Sequence, residues 1–434
     1  AVAALFNSVN VLLLRYLVDY VGLGAAIAGS ILALSKLFDA IIDPLVGAMS
    51  DRTRSRHGRR RPFVLAGGLM LAVSSVLLFN IPSGLSPNAA LALATGALLF
   101  YATAYAVFSV PYMAMPAEMT INIHERSRLI SYRVYAVAGA SMVATFIGPM
   151  LIAEAGGGQA GHTVMSLFIA ALILVSTIVC FRATRSVAGA DIAVPTHQKM
   201  SFAKKLELIV SNRPFMVLLV IKLLQLMALA VTQAALPFLF KRVLGLTDAM
   251  LGVYFLVFYG AMIVCQRFWV KFGERGGKRR IYLYATVAYA LLYITWYFVT
   301  PEEPLAMTLL RGACLGGTAG AVLLFGQSML PDTMEWDYRQ TGLRREGVLS
   351  AIYTMVEKFA FAAGAALTGL VLGAAGYLKS TGSTDVVQPQ SAIDAIFFLA
   401  SFAPMALLLA SCIALRFYNL SDDMLTGEAG QPAR

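Results

Sequence analysis

The chain has 434 residues, of which 59% are hydrophobic and only 13% charged, whereas a soluble chain has about 25% charged residues. This composition excludes an ordinary soluble enzyme and fits a protein that crosses a membrane many times. The net charge of +11 does not indicate nucleic-acid binding, because the basic residues lie in short loops between apolar runs.

Twelve apolar segments are long enough to cross a bilayer, which takes about 20 apolar residues each. The predicted transmembrane helices are 2–21, 27–49, 63–82, 89–113, 131–154, 163–181, 214–240, 248–270, 280–299, 305–330, 348–378 and 391–416. A long polar connection separates the sixth helix from the seventh. We therefore predict an all-α membrane protein with an N-terminal six-helix bundle at 1–181, a cytoplasmic middle loop at 182–213 and a C-terminal six-helix bundle at 214–434.

Basic loop residues are distributed unevenly between the two sides of the membrane. Nearly all of them follow even-numbered helices, and only Lys241, Arg242 and Lys379 lie in the other loops. Positively charged loops stay in the cytoplasm, so we predict an inner-membrane protein with both termini cytoplasmic. Because the chain opens at Ala1 inside an apolar run, we expect native residues to precede it.

The two halves repeat each other weakly. "RHGRRRPF" (56–63) and "RGGKRRIY" (275–282) each join the second and third helices of their half. "PAEMT" (116–120) and "PDTME" (331–335) each follow the fourth helix. Two similar offsets predict a six-plus-six duplication, which is the major facilitator arrangement with a substrate site between the halves.

Three charged residues interrupt the second predicted helix, in "KLFDAIIDPLVG". Lys36, Asp39 and Asp43 stand at positions i, i+3 and i+7 and so share one helix face. Two carboxylates one turn apart in an apolar setting either bind a cation or hold a proton. The alternative is that Asp43 ends the helix beside Pro44 while Asp39 pairs with Lys36. Since intramembrane charges are usually functional, we predict a coupling-cation site at Asp39 and Asp43.

Other charges lie in or beside apolar helices. Lys358 is in the middle of helix 11 next to Glu357, and Arg133 opens helix 5 within reach of the helix 2 carboxylates. We assign Lys358 and Arg133, with Lys36, to one charge network; a membrane-interface anchor is the alternative for Arg133. The roles of Glu357, Lys222 and Arg311 stay open, because long side chains can reach the membrane surface.

Two further patterns concern packing and substrate contact. Arg15 and Asp19, four residues apart near the outer end of helix 1, are predicted to form a structural ion pair. Tyr101, Tyr105 and Ser109 lie on one face of helix 4. With Lys358 they are candidates for contacting a sugar-like solute, and a packing stripe is the alternative.

Several enzyme signatures are missing from the sequence. The four cysteines lie apart in apolar runs and the four histidines at loop edges, which predicts neither a disulfide framework nor a metal site. We find no nucleophile–base pair and interpret the glycines of "LGGTAG" (315–320) as helix-packing residues. The sequence therefore predicts no catalytic residue and no cofactor.

Charged residues after helices 4 and 10 predict a cytoplasmic gate. Ion pairs between them and the arginine-rich segment 52–61 would close the inner side of the protein, although a solvated loop is the alternative. The gate candidates are Glu118, Asp332, Glu335, Asp337, Arg344 and Arg345.

Three segments resemble the signatures of the glycoside–pentoside–hexuronide:cation symporter family of the major facilitator superfamily. They are "DAIIDPLVGAMSDRTRSRHGRRRPF" (39–63), "VPYMAMPAEMTINIHERSRLISYR" (110–133) and "PDTMEWDYRQTGLRREG" (331–347). The resemblance covers nearly the whole chain and implies alternating access driven by proton or sodium entry. It also implies that Asp39 and Asp43 are the cation carboxylates, and that Lys36, Arg133 and Lys358 occupy positions where the family has cationic residues.

The sequence departs from the family's best-known member at the cation site. Ile42 replaces an asparagine and Ala106 a threonine, so two neutral oxygen ligands are absent. Sodium needs several oxygens, whereas a proton needs one carboxylate, and these departures therefore favour a proton.

The sugar site departs as well. Ala3 and Ser109 stand where two sugar-binding aspartates are expected, and Tyr101 and Met113 replace two tryptophans. We expect a symporter, acting as a monomer in the bilayer, for a glycoside, sugar acid or related small solute. An amphiphilic, lysophospholipid-like substrate is the alternative within transport, and a membrane-embedded enzyme or a non-transporting sensor are the alternatives outside it.

Overall fold

The computed structural model describes residues 2–82, 84–119, 123–185, 212–342, 346–379 and 386–420. These residues form twelve long helices and no strand. In chain order they are α1 (Val2–Asp19), α2 (Ala25–Arg52), α3 (Arg61–Phe79), α4 (Pro87–Met119), α5 (Ile123–Glu154), α6 (Gly158–Ala183), α7 (Arg213–Val243), α8 (Asp248–Gly276), α9 (Lys278–Tyr293), α10 (Leu305–Thr341), α11 (Glu346–Ala374) and α12 (Gln390–Arg416). The all-helical fold class predicted from the sequence is confirmed.

Ten helices of the described part are long and apolar enough to cross a membrane by themselves. The other two are α5, whose apolar part is Gly139–Glu154, and α9, which opens with three basic residues. Both are packed among the ten, so their polar ends do not prevent them from spanning the same layer.

Some helices extend beyond their predicted ends. Helix α4 runs to Met119 rather than 113, and α10 runs through Pro331 to Thr341 rather than ending at 330. The predictions placed these ends where hydropathy falls. Falling hydropathy marks the edge of the membrane and not the end of the helix, because a helix satisfies its backbone hydrogen bonds in water as well.

The helices pack as two groups of six. Within the first group α3 packs on α4 and α6, and α2 on α4; within the second, α7 packs on α11 and α12, and α10 on α8 and α9. The groups meet through α2 with α11, α5 with α8, and α1 with α7. The exact bounds of the predicted middle loop, 182–213, stay a prediction, because residues 186–211 lie outside the described part.

The two bundles approach each other most closely toward one end. A Cβ at Gly29 of α2 would lie 2.9 Å from the Cα of Gly369 in α11, and one at Gly252 of α8 would lie 2.6 Å from the Phe146 carbonyl of α5. Small residues let the helix backbones touch at both crossings. We call this end the opposite face, because the arginine-rich turn 53–60 lies at the other end, the basic face.

Candidate functional site

The centre of the site is an ion-pair group between α2 and α11. The Lys358 ammonium forms a salt bridge with Asp43, and its Nζ lies 3.8 Å from Oδ2 of Asp39. Asp39 is buried and Asp43 is partly exposed. One lysine of the second bundle therefore holds both carboxylates that the sequence singled out in the first bundle.

Each carboxylate retains an unused acceptor. Helix α2 continues through Pro44 without a break, which keeps Asp39 and Asp43 one turn apart on the same face. The Oδ1 atoms of both residues are buried and have no hydrogen-bond partner. A buried acceptor without a donor is costly, so these two oxygens can readily take a proton or a cation.

Lys36 and Asp39 are close enough for their charges to attract each other, but the salt bridge of the alternative interpretation does not form. No ion pair among the described residues joins the two, and the Lys36 ammonium lies against aromatic faces. Its Nζ is 4.6 Å from the ring centroid of Phe6 and 5.6 Å from that of Tyr101. Lys36 is only 8% exposed, so these cation–π contacts compensate part of the cost of burying its charge.

The predicted aromatic stripe on α4 joins this group. The Tyr105 ring lies 5.9 Å from that of Phe6 and 6.0 Å from that of Tyr101. The hydroxyl of Tyr101 is buried without a hydrogen-bond partner. Ser109, two turns further along α4, is half-buried. The stripe therefore includes an unsatisfied hydroxyl, which pure packing does not require.

A small cavity lies between the bundles beside Lys36. The volume of the cavity is about 20 Å³, which is room for roughly one water. A larger solute therefore requires the walls to move apart. The walls come from α1, α2, α7 and α11: Val9, Asn10, Leu14, Leu32, Lys36, Ala230, Ala234, Phe361 and Ala365.

Asn10 is a candidate site residue that the sequence analysis missed. It lies in the π-helical stretch Val9–Leu13 of α1, and its Nδ2 is buried without a hydrogen-bond partner. Such π-helical turns occur frequently at functional sites. The available signal was an amide side chain within an apolar run, since hydropathy does not reveal a π-helical turn.

Two charges whose roles were open have partners within the second bundle. Lys222 lies 3.2 Å from Oε2 of Glu357 and contacts the Tyr353 ring. Arg311 lies 2.8 Å from Oε1 of Glu303 on the opposite-face side of its helix. Neither pair crosses between the bundles, which favours a structural role for Lys222 and Arg311.

A second ion-pair group joins the bundles at the opposite face, and we call it the opposite-face cluster. Arg15 of α1 pairs with Asp248 of α8 and lies 3.5 Å from Asp19. Asp19 in turn lies 3.4 Å from Arg242 and accepts a hydrogen bond of 3.0 Å from the Tyr377 hydroxyl. The predicted Arg15–Asp19 pair is thus present, but it belongs to a larger network that closes this face.

The predicted gate residues on the basic face have partners within their own half. Lys278 pairs with Asp332 at 3.0 Å and Arg339 with Glu335 at 2.9 Å, while Asp337 accepts a hydrogen bond of 3.2 Å from Asn212. The gate stays a prediction. Arg344 and Arg345 lie outside the described residues, as do the side chains of Glu118 and Arg133.

Comparison with known proteins identifies the family of the chain. The chain is 27% identical over 421 residues to the putative glycoside/cation symporter YagG of Escherichia coli, covering 95% of this chain and 87% of the relative. It is 26% identical to the glucuronide carrier protein homolog of the same organism, covering 94% and 88%. Both relatives are named as transport proteins.

Solved structures share the fold. The crystal structure of a D-xylose–proton symporter superposes with a TM-score of 0.66 at 13% identity, covering 96% of both chains. The family model described as MFS/sugar transport protein matches residues 1–422. The chain therefore belongs to this family of multi-pass membrane transporters, the glycoside–pentoside–hexuronide type of sugar symporter within the major facilitator superfamily.

Proposed function

We propose that the protein is a proton-coupled symporter that moves a glycoside, sugar acid or related small solute by alternating access. The observation that carries this proposal is the position of Lys358 between Asp39 and Asp43 at the junction of the two bundles. The group is both an ion site and a contact between the halves. Occupancy of the carboxylates is thereby linked to the movement of one bundle against the other.

Lys358 supplies the positive charge when the coupling ion is absent. A bare carboxylate inside the membrane is expensive, and the lysine ammonium neutralises Asp43 in the empty carrier. When Asp43 takes a proton, the ion pair is lost and Lys358 is released. The contact between α2 and α11 then weakens on the side of the carboxylates.

A proton suits this site better than sodium. Hard cations take several oxygen ligands. Ile42, next to Asp43 in α2, offers no side-chain oxygen, and neither does the buried Ala106, which stands where the family resemblance implies a threonine ligand. One unpaired Oδ1 atom is enough to hold a proton. Sodium would need further oxygen ligands, and the side chains at positions 42 and 106 do not provide them.

We assign the basic face to the cytoplasm of a bacterial inner membrane, on the positive-inside rule. The opposite-face cluster then closes the outer side. The ion pairs that join the bundles at the opposite face support our assignment of this structure to an inward-facing carrier. The proposed gate of Glu118, Asp332, Glu335, Asp337, Arg344 and Arg345 would form when the inner side closes.

The substrate site lies beside Lys36. The ammonium of Lys36 and the amide of Asn10 provide donors, and Phe6 and Tyr101 provide rings against which a sugar can stack. This combination suits a hydroxylated ring, particularly one that carries a carboxylate. Six of the nine cavity walls are aliphatic, among them Val9 and Leu32, which keeps an amphiphilic, lysophospholipid-like substrate as the second candidate.

Uptake into proteoliposomes tests the function. The proteoliposomes have an acidic exterior and a membrane potential that is negative inside. Under these conditions we expect accumulation of a glucuronide or a neutral glycoside without a requirement for sodium. The Asp43→Asn variant should lose this accumulation. The matched control is Glu303→Gln, since Glu303 pairs with Arg311 inside the second bundle. Sodium-dependent uptake without pH dependence would reject proton coupling, and uptake of a lysophospholipid alone would favour the second candidate.

A further inference from the structure

A groove unrelated to the transport site lies at the basic end of α3 and α6. Its volume is about 370 Å³, and its walls are Pro62, Leu65, Ala66, Leu69 and Phe181, with His57 at its mouth. The groove faces outward from the bundle, because Leu69 is 46% exposed. In a membrane this surface contacts lipid and not the substrate path.

An exposed apolar track continues from the groove toward the middle of the membrane. On α3, Leu69, Val73 and Leu77 follow one another at four-residue spacing and are 46%, 54% and 48% exposed. On α6, Val175 and Val179 are 62% and 60% exposed. A hydrocarbon chain that enters the groove can therefore lie along the same pair of helices.

A buried cation, Arg61, lies behind the groove and is held by its wall residue Phe181. The Arg61 guanidinium donates hydrogen bonds to the Phe181 carbonyl at 2.5 Å and to Oγ1 of Thr184 at 3.1 Å. It also lies 4.5 Å from the Phe181 ring centroid. These contacts orient Arg61 at the interface of α3 and α6, beside the apolar wall.

More positive charge surrounds Arg61 without a matching acid. Arg185 is close enough for its charge to repel that of Arg61, and both Arg182 and Arg185 are exposed. Within the described residues, no carboxylate pairs with Arg61, Arg182 or Arg185. An anion at the mouth would relieve the repulsion between the guanidinium groups, and arginine binds phosphate through parallel hydrogen bonds.

The corresponding place in the second bundle is different. There the repeat segment 275–282 also carries basic residues, but Lys278 pairs with Asp332 at 3.0 Å and Arg279 donates to the Arg416 carbonyl at 2.9 Å. The protein itself satisfies these cations. In the first bundle Arg60 likewise pairs with Asp51, whereas Arg182 and Arg185 have no carboxylate partner among the described residues. Lys278 and Arg279 therefore serve as control cations for Arg182 and Arg185.

We propose that the α3–α6 groove binds an anionic phospholipid of the leaflet at the basic face. The phosphate headgroup lies at the exposed Arg182 and Arg185, with the buried Arg61 adding positive charge beside it, and an acyl chain occupies the groove along Leu69. Basic pockets between transmembrane helices bind anionic headgroups in this manner. The apolar walls favour a lipid over a free phosphate ion, because an acyl chain packs against apolar side chains and a phosphate ion does not.

Native mass spectrometry of the purified full chain tests this site. After incubation with phosphatidylglycerol, we expect one retained lipid on the unaltered protein and little retained phosphatidylcholine. Arg182→Gln/Arg185→Gln should lose the phosphatidylglycerol peak, and Ala66→Trp should lose it by filling the groove. Lys278→Gln/Arg279→Gln should keep it.

Thermal unfolding in detergent provides the second measurement. Phosphatidylglycerol should raise the melting temperature of the unaltered protein and of the Lys278→Gln/Arg279→Gln control, but not that of Arg182→Gln/Arg185→Gln. Because Ala66 is exposed, Ala66→Trp should fold normally. If it does not fold, the Arg182→Gln/Arg185→Gln variant alone tests lipid binding. Equal retention of both lipids, equal retention by the arginine variant, or equal stabilisation by inorganic phosphate would each overturn the proposal.

Discussion

Lys358 is shared by two carboxylates of the other bundle, and this sharing defines the site at the scale of single residues. The ammonium forms a salt bridge with Asp43 and lies 3.8 Å from Asp39. Lys36 lies close by but faces Phe6 and Tyr101 instead. Two lysines in similar surroundings therefore have different contacts, one with carboxylates and one with aromatic rings.

Neutralising Lys358 should uncouple and destabilise the protein. Removing one partner of a buried ion pair costs about 3–5 kcal/mol, and the partial exposure of Asp43 places the expected loss toward the lower end for Lys358→Met. Thermal unfolding in detergent measures it. Because Lys358→Met/Asp43→Asn removes both partners, the double variant should recover most of the stability and still fail to accumulate substrate. A double variant no more stable than the single one would contradict the pairing.

Restoring the two missing oxygens should change the ion preference. We expect Ile42→Asn/Ala106→Thr to show sodium-stimulated uptake, because it adds two neutral ligands beside Asp39 and Asp43. The matched control is Ile42→Asn/Ala106→Val, which has the same shape at the buried position 106 but lacks its oxygen. Uptake measured against sodium concentration at fixed pH separates the two. Equal sodium responses would show that position 106 is not a ligand position.

At the scale of elements, the contact of α2 with α11 depends on two glycines. A Cβ at Gly29 would lie 2.8 Å from the Ala365 carbonyl and 2.9 Å from the Cα of Gly369. Neither neighbour can move without its helix, since both atoms belong to the backbone. The two helices therefore cross at a distance that larger residues do not permit.

Gly29→Ala should push these helices apart at the opposite face. Overpacking costs about 1–3 kcal/mol, and separating the helices here relieves it, so the population should shift toward opening of this face. Spin labels at positions 21 and 247, measured by pulsed electron resonance, should report a longer distance. Gly96→Ala in α4 is the control, because no atom lies within 4 Å of its added Cβ, and it should leave the distance unchanged.

The sequence predicted some of these elements and not others, for physical reasons. Asp39 and Asp43 were found because helical spacing is local, and the twelve spans because the hydrocarbon layer demands apolar runs. The pairing of Arg15 with Asp248 joins positions 233 apart, and nothing local indicates it. Asn10 was missed because its exposure to the cavity depends on a π-helical turn.

At the scale of the whole molecule, ion pairs join the bundles at two depths. The opposite-face cluster lies at one end, and the Lys358 group lies deeper, toward the basic face. Glycine crossings lie on the side of the cluster. Opening the protein to the opposite face therefore requires breaking the ion pairs of the opposite-face cluster.

Removing one partner of the opposite-face cluster should therefore favour the outward-open form. Asp248→Asn leaves Arg15 with Asp19 alone, so we expect a longer distance between the labels at positions 21 and 247. Glu303→Gln is the control, since Glu303 pairs with Arg311 inside one bundle. If both variants shift the distance equally, the effect comes from general destabilisation and not from the loss of a contact between bundles.

The balance of charges around Lys358 determines how transport depends on the membrane voltage. Lys36 and Lys358 formally cancel Asp39 and Asp43, so the empty carrier reorients without moving net charge through the field. With a proton and a neutral glycoside bound, the carrier moves one charge across the membrane. A potential of 100 mV then contributes about 2.3 kcal/mol of driving force. With a sugar acid aboard, the proton and the carboxylate cancel and the cycle carries no current. Transient currents on a supported membrane thus distinguish the two substrate classes.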